Sequence, residues 1–417
     1  MILKLAAFLL FISFNAIGQK TLLFEDKVYE PQIKSIQFLR SDNNGGVTST
    51  ASTFINESNL VLAFDDLQSD RANYYAKLIH CNFNWTKSSL SNLDFLSEYN
   101  EFPINDYAYS GNTHIAYVHY RFPVPQVKIP GNYLLIVYRD GNQADLILSR
   151  RLCIYSQDVS LAVDNQLAGT GTLRASNQQL NFIIDYSRVE ILNPMEAVHV
   201  VIRQNQRWDN ARMDVKPSFL RDGNNELEYR FFDQDKSFNA GNEFRFVDFR
   251  SLNFPGQNTA KLNRTVKPFQ LYVQQDRSRA AEAYTQYNDL NGGYQIENRD
   301  APEANVSSNY VETTFSLDSK PLADDLYLVG AFNGWDRNEE NKMKYYSEKG
   351  TYETTLLLKQ GFYNYQYLVD SPSVDANYIE GNHFETENVY EVLVYNRPFR
   401  PNADLLIGYF VIPVNPR

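Results

Sequence analysis

Apolar and polar residues alternate along most of this chain at a period of two, and runs with a 3.6-residue apolar repeat are nearly absent, a pattern that predicts strands rather than helices. From His114 to Phe122, Ala116, Val118 and Tyr120 fall on one face and Ile115, Tyr117, His119 and Arg121 on the other. Pro123 and Pro125 break that strand. Pro130 and Gly131 turn the chain into Tyr133–Tyr138, Asp140 and Gly141 form a hairpin-type turn, and a further strand follows from Ala144 to Tyr155. The same grammar predicts strands at Leu180–Tyr186, Ala197–Gln204, Glu226–Phe232, Phe244–Phe249 and Phe269–Gln274, with turns such as Asp222-Gly223-Asn224 between them. Between Arg277 and Ser308 apolar content falls and Gly292 adjoins Gly293, which predicts a linker with a short helix near Ala280. The last strands are expected at Val311–Leu317, Asp325–Phe332, Thr351–Lys359, Tyr363–Asp370 and Val389–Tyr395.

The fold class expected from this pattern is all-β, as tandem antiparallel β-sandwich domains of immunoglobulin-like type. The expected division is a signal peptide at 1–18, an N-terminal sandwich at 19–155, a second at 156–276, a linker at 277–309 and a C-terminal immunoglobulin-like domain at 310–417. The first segment has the three parts of a secretory signal: Met1 and Lys4, an apolar run from Leu5 to Phe14, and small residues at Ala16 and Gly18. Cleavage after Gly18 makes Gln19 the new terminus, and without a cysteine there lipid anchoring is not expected. The apolar run is shorter than the roughly 20 residues that span a bilayer as a helix.

With 29 Tyr and 27 Phe the composition favours strands. Fifty acidic against 39 basic residues give a net charge of −11, and no basic run offers a footprint for nucleic acid or anionic lipid. The two cysteines, Cys81 and Cys153, leave open one disulfide or two buried thiols.

Candidate chemistry is sparse. His114 and His119 lie five apart on a strand, point to opposite faces and cannot share a metal. The pairs Asp65, Asp66 and Asp324, Asp325 diverge as sequence neighbours on a strand, unlike carboxylates that face each other across a scissile bond, so turn and solvent roles are expected for both. Asp233-Gln234-Asp235 starts like a calcium loop, but Phe238 and Phe244 stand where the glycine and the bidentate glutamate belong. Phosphate-cradling glycine loops, nucleophile elbows and zinc-spaced Cys/His sets are missing. No enzyme and no cofactor are expected.

Two resemblances add to this reading. Leu326–Trp335 (LYLVGAFNGW), Gly350–Leu358 and Phe362–Asp370 (FYNYQYLVD) resemble glycogen-binding-like modules. That resemblance implies Trp335 as a glycan-stacking platform, an indole face suiting the C–H face of a pyranose; against it, Gln366 replaces a sugar-contacting lysine and Ser371–Asp375 brings no second aromatic. Phe64–Leu67 (FDDL), Ile79–Leu90 (IHCNFNWTKSSL), Asn112–Pro123 (NTHIAYVHYRFP), Gly381–Tyr395 (GNHFETENVYEVLVY) and Asp404–Tyr409 (DLLIGY) resemble the type IX secretion system plug family. The resemblance implies a periplasmic protein that docks on the periplasmic end of a large outer-membrane translocon barrel and closes its pore when no substrate is in transit. The partner it implies is that barrel, without direct membrane insertion. The loops Tyr99–Tyr109 and Tyr284–Tyr294 are candidate contacts, with aromatics folded back on their own domain as the other reading. The alternative function is a periplasmic or secreted glycan-binding module protein.

Overall fold

The computed structural model describes residues 20–41, 47–57, 59–164, 174–230 and 237–416; the expected signal at 1–18 and the Asp233–Asp235 segment lie outside them. Mostly β, the described residues form three two-sheet units, each with its own apolar core, and one further two-stranded pair, Asn177–Gln178 with Phe238–Asn239.

In the first unit, one sheet runs Lys27–Val28, Leu146–Tyr155, Gly131–Arg139, Tyr74–Cys81, Phe102–Pro103, with Ser52–Phe54 added in parallel to Leu146–Tyr155. The other runs Val47–Ser49, Ile33–Ser41, Leu60–Asp66, Val118–Pro123, Asp106–Tyr109. Leu62, Phe64 and Tyr120 from one sheet meet Leu135, Val137 and Ile147 from the other. Strand Gly131–Arg139 is buried at every position but its last, because the first sheet is covered on its outer face as well. There Leu134, Ile136 and Cys153 pack against Val201, Leu393 and Leu406 of the second unit. The strand expected at His114–Phe122 starts only at Val118. Asn112 takes a left-handed φ of 58° and the Thr113 hydroxyl donates to Ile115 O, so the preceding residues turn.

The second unit departs from the expected division. Val198–Gln204 pairs with Asn388–Asn396, and that strand pairs with Leu405–Val414. This sheet faces a second one ordered Ser160–Val163, Phe182–Asp185, Glu226–Tyr229, Phe219–Arg221. Val198, Val200 and Ile202 point one way and need a neighbouring apolar row, which Tyr390, Val392 and Val394 supply from the far end of the chain. The third unit, with strands from Arg245–Asp248 to Gly361–Asp370, is inserted between the two parts of the second. The boundaries expected at 276 and 310 are corrected accordingly. Phe244–Phe249 and Phe269–Gln274, expected in the second sandwich, supply strands Arg245–Asp248 and Phe269–Val273 to the third.

The segment 277–309 is not a free linker. Asp276–Arg277 pairs with Leu317 and Asp318, Tyr294–Ile296 pairs with Gly361–Asp370, and the helical turn falls at Ala304–Ser307 instead of near Ala280. Thr351–Lys359 is a strand over the residues expected.

Candidate docking surface and interdomain seams

Asp65 and His119 face each other across the pairing of Leu60–Asp66 with Val118–Pro123. Asp65 is fully buried. His119 Nδ1 lies 2.6 Å from its Oδ1, while Oδ2 accepts from Tyr310 Oη and from Lys359 Nζ, each at 2.6 Å. Lys359 also donates to Asn305 O at 2.6 Å and sits 4.3 Å over the Tyr117 ring. Because Tyr310 gives its proton to Asp65, the hydroxyl of Ser35, 2.8 Å away, donates to Tyr310. Burial pushes the Asp65 carboxyl up, but Lys359 and His119 outweigh that and hold it below the usual range. The solvent role expected for Asp65 and Asp66 is corrected: they do diverge, but Asp65 ties the first sandwich to the third, and Asp66, also buried, accepts from Tyr74 Oη at 2.7 Å.

A second seam joins the first sandwich to the second. The Phe83 backbone N–H donates to Asp404 Oδ2 at 2.9 Å, Arg397 grips the same carboxylate at 2.7 and 2.9 Å, and the Phe83 ring stacks on His199 at 4.2 Å. Tyr395 Oη donates to Asn132 Oδ1 at 2.9 Å. Buried Arg203 donates to Glu391 Oε1 at 3.1 Å and lies 4.5 Å over Trp208, which meets Trp85 edge-on at 5.0 Å. Within the second sandwich, Asn388 Nδ2 donates to Gln178 Oε1 and Ala240 O. In the third sandwich Glu380 accepts from Arg245 and Arg279; burial pushes its carboxyl up, yet these two guanidiniums hold it down at about 2.

Cys81 and Cys153 are both free and buried. Each is the register partner of Asn132, one on either side, so their Cα atoms stand two strand spacings apart, roughly 9.6 Å, beyond the ~7 Å reach of a disulfide. Burial pushes each thiol up to about 12.

Trp335 is only 7% exposed. Arg207 of the second sandwich lies 4.1 Å over its ring, Phe244 meets it edge-on at 5.7 Å, and Gly292, at φ +82°, approaches so closely that a Cβ would fall 2.4 Å from the indole. The ring closes a seam, and the face that a pyranose would need is occupied. His114 packs edge-on against Phe269 at 4.3 Å. Among the described residues no cluster of His, Cys, Asp and Glu is arranged to hold a metal ion, and no helix is long and apolar enough to cross a membrane.

The surface is more informative at one set of loops. The bonds that join Phe83 to Asp404, Ser89 Oγ to Asn402 O and the Arg397 N–H to Ala197 O bring the loops at 82–99, 187–197 and 397–404 together. These loops leave Phe399 87%, Leu93 76% and Leu192 75% exposed, with Met195 beside them at 40%. Side chains of this size, left open on loops that are otherwise pinned, make these loops a candidate contact surface. Of the two loops singled out in the sequence, Tyr99 and Tyr109 are exposed, whereas Tyr284 and Tyr287 bond back to Glu243 and Tyr294 is buried, its hydroxyl on Ile36 O. The loop 397–404 has no signature in the sequence, because its single exposed aromatic, Phe399, carries no periodic signal.

Residues 33–156 match the family described as type 9 secretion system plug protein 1st domain. A crystal structure of a hypothetical protein from Parabacteroides merdae ATCC 43184 is similar at 29% identity and a TM-score of 0.87, over 94% of this chain and 100% of that one. Trypsin-activated alpha-2-macroglobulin from Escherichia coli aligns at 9% identity over 91% of this chain and 27% of that one with a TM-score of 0.17, too low to support any comparison. No curated protein matches the chain.

Proposed function

We infer that this chain, whose residues 33–156 match the first domain of type 9 secretion system plug proteins, is a non-catalytic plug. It docks on the periplasmic end of the outer-membrane translocon barrel of that system and seals the pore when no substrate is in transit. The family match carries the reading. A barrel wide enough to pass folded proteins is an open aqueous channel and needs a stopper. A stopper has to be stiff, and buried contacts supply stiffness: the plug-like segments meet where Asp65 bonds to His119, Phe83 to Asp404 and Tyr409 to Glu391, and where the Phe83 ring packs on Tyr395. It also needs a detachable face, for which the Leu93, Leu192 and Phe399 loops are the best candidates. With Trp335 covered, the glycan-binding alternative loses its platform.

The test is a mild-detergent pull-down from membranes with this protein as bait, paired with outer-membrane permeability of a deletion strain to bulky antibiotics. Recovery of a giant barrel and a leaky strain are expected. A strain that stays tight while its translocon is intact overturns the sealing role.

A further inference from the structure

Between the first and third sandwiches lies a cleft of about 340 Å³, at the lower end of the roughly 300–1,000 Å³ typical of small-molecule sites and, like many of them, at a domain boundary. Its lining is mixed, with an apolar and aromatic half made by Ile33 and Ile36 from one side and Tyr294, Phe332, Leu356 and Tyr363 from the other. Its charges are nearly all matched. Lys27 pairs with Asp336 and Lys34 with Glu340 across the two sandwiches, Glu30 takes Lys20 and Arg139, Asp26 takes Arg151, and Lys359 is held by Asp65.

One cation has no hydrogen-bonded partner and meets Asp26 only through space. Arg150 lines the cleft next to Asp26, whose hydrogen bonds all go to Arg151, and among the described residues the Arg150 guanidinium makes no hydrogen bond and no ion pair. A guanidinium is a planar fork of donors that matches a carboxylate in two parallel bonds. Without a hydrogen-bonded acceptor beside the apolar half of the cleft, it suits an anion whose remainder is apolar.

We propose that this cleft binds a monoanion on an apolar stem, with the carboxylate held by Arg150 and the stem among Ile36, Tyr294, Phe332 and Leu356. A fatty acid and the free C-terminus of an apolar peptide share this chemistry. The inference is independent of the docking role, since the cleft and the exposed loops are built from different residues.

The experiment is calorimetric titration of the full mature chain with decanoate, decanol and decylamine, and with a Leu-ending tripeptide carrying a free or an amidated C-terminus. At least one acid should bind roughly tenfold or more tighter than its uncharged counterpart, the worth of a charge-assisted hydrogen bond. Decylamine should bind no better than decanol. Arg150→Ala should erase the preference for the acid, and Arg150→Lys should retain part of it. The better acid identifies the source as lipid or peptide. The proposal is overturned if neither acid binds up to about 1 mM, if the alcohol or amide binds as tightly, or if Arg150→Ala keeps the preference. The acid-against-alcohol comparison needs no variant, so a misfolded Arg150→Ala leaves the test decisive.

Discussion

Replacing Lys359 by Met removes the cation that answers Asp65 while keeping the length and apolar stem of the side chain. The carboxylate it leaves behind is fully buried and retains only His119 and Tyr310, and Asn305 O loses its donor. Removing one partner of a fully buried pair costs about 3–5 kcal/mol, since the surviving charge remains buried without compensation. Lys359→Met should therefore lower the free energy of unfolding by about that much. Lys359→Met combined with Asp65→Asn should cost less than the two single changes added together, because no charge is then stranded. Equilibrium urea unfolding gives the numbers, read by both circular dichroism and intrinsic fluorescence because a three-sandwich chain can unfold in steps. Acidification should act on the same contact. With its native pKa lowered, Asp65 contributes stability that is fully present above about pH 4 and is lost as pH falls through the native value. A loss below about 1 kcal/mol for Lys359→Met, the size seen for exposed pairs, or strict additivity of the double variant, refutes the claim that this cluster welds the first and third sandwiches.

Three further outcomes are expected. Phe399→Ser with Leu192→Ser should leave the unfolding free energy within about 0.5 kcal/mol, both side chains being solvent-exposed, yet abolish recovery of the barrel in a pull-down; undiminished recovery removes these loops from the docking face. His80 is buried and its pKa is pressed down to about 4, so between about pH 6.5 and 4 the unfolded chain takes up a proton that the native one refuses, and stability falls with pH by up to about 3 kcal/mol. His80→Phe should flatten that part of the urea-midpoint profile, and an unchanged slope would assign it to other groups. Alkylation followed by mass spectrometry, without reductant, should label neither Cys81 nor Cys153 in the native protein and both in denaturant; a mass lacking both labels in denaturant would mean a bridge that the strand register forbids.

The strands were legible wherever their signal is local. Thr351–Lys359 and Val198–Gln204 can be read from alternation and turn residues alone, and the all-β class follows from them. What alternation does not encode is the partner. Val198–Gln204 looks the same whether its neighbour is nearby or, as here, almost two hundred residues away, so the second sandwich was closed too early in the expected division. The same blindness governed the polar residues. Asp65 and Asp66 were expected in solvent because two adjacent carboxylates usually are, and the lysine that makes burial affordable for Asp65 lies on a strand of another sandwich. Trp335 kept its module-like neighbourhood while Arg207 and Gly292, both distant in sequence, closed over its ring. The words that resembled the plug family were visible as words; that they meet at seams required the structure.

The insertion of the third sandwich into the second also sets an order of assembly. Synthesis runs from the N-terminus and domains fold largely as their residues become available. The first and inserted sandwiches have all their strands by Asp370, whereas the second has its Ser160–Val163, Phe182–Asp185, Glu226–Tyr229, Phe219–Arg221 sheet but a lone Val198–Gln204 opposite it until Asn388–Val414 emerges. Until then that lone strand offers an unpaired edge and an uncovered apolar row, the kind of surface that recruits chaperones or mispairs. Shortening the chain by its last hairpin would therefore strand the second sandwich while sparing the first and the inserted one.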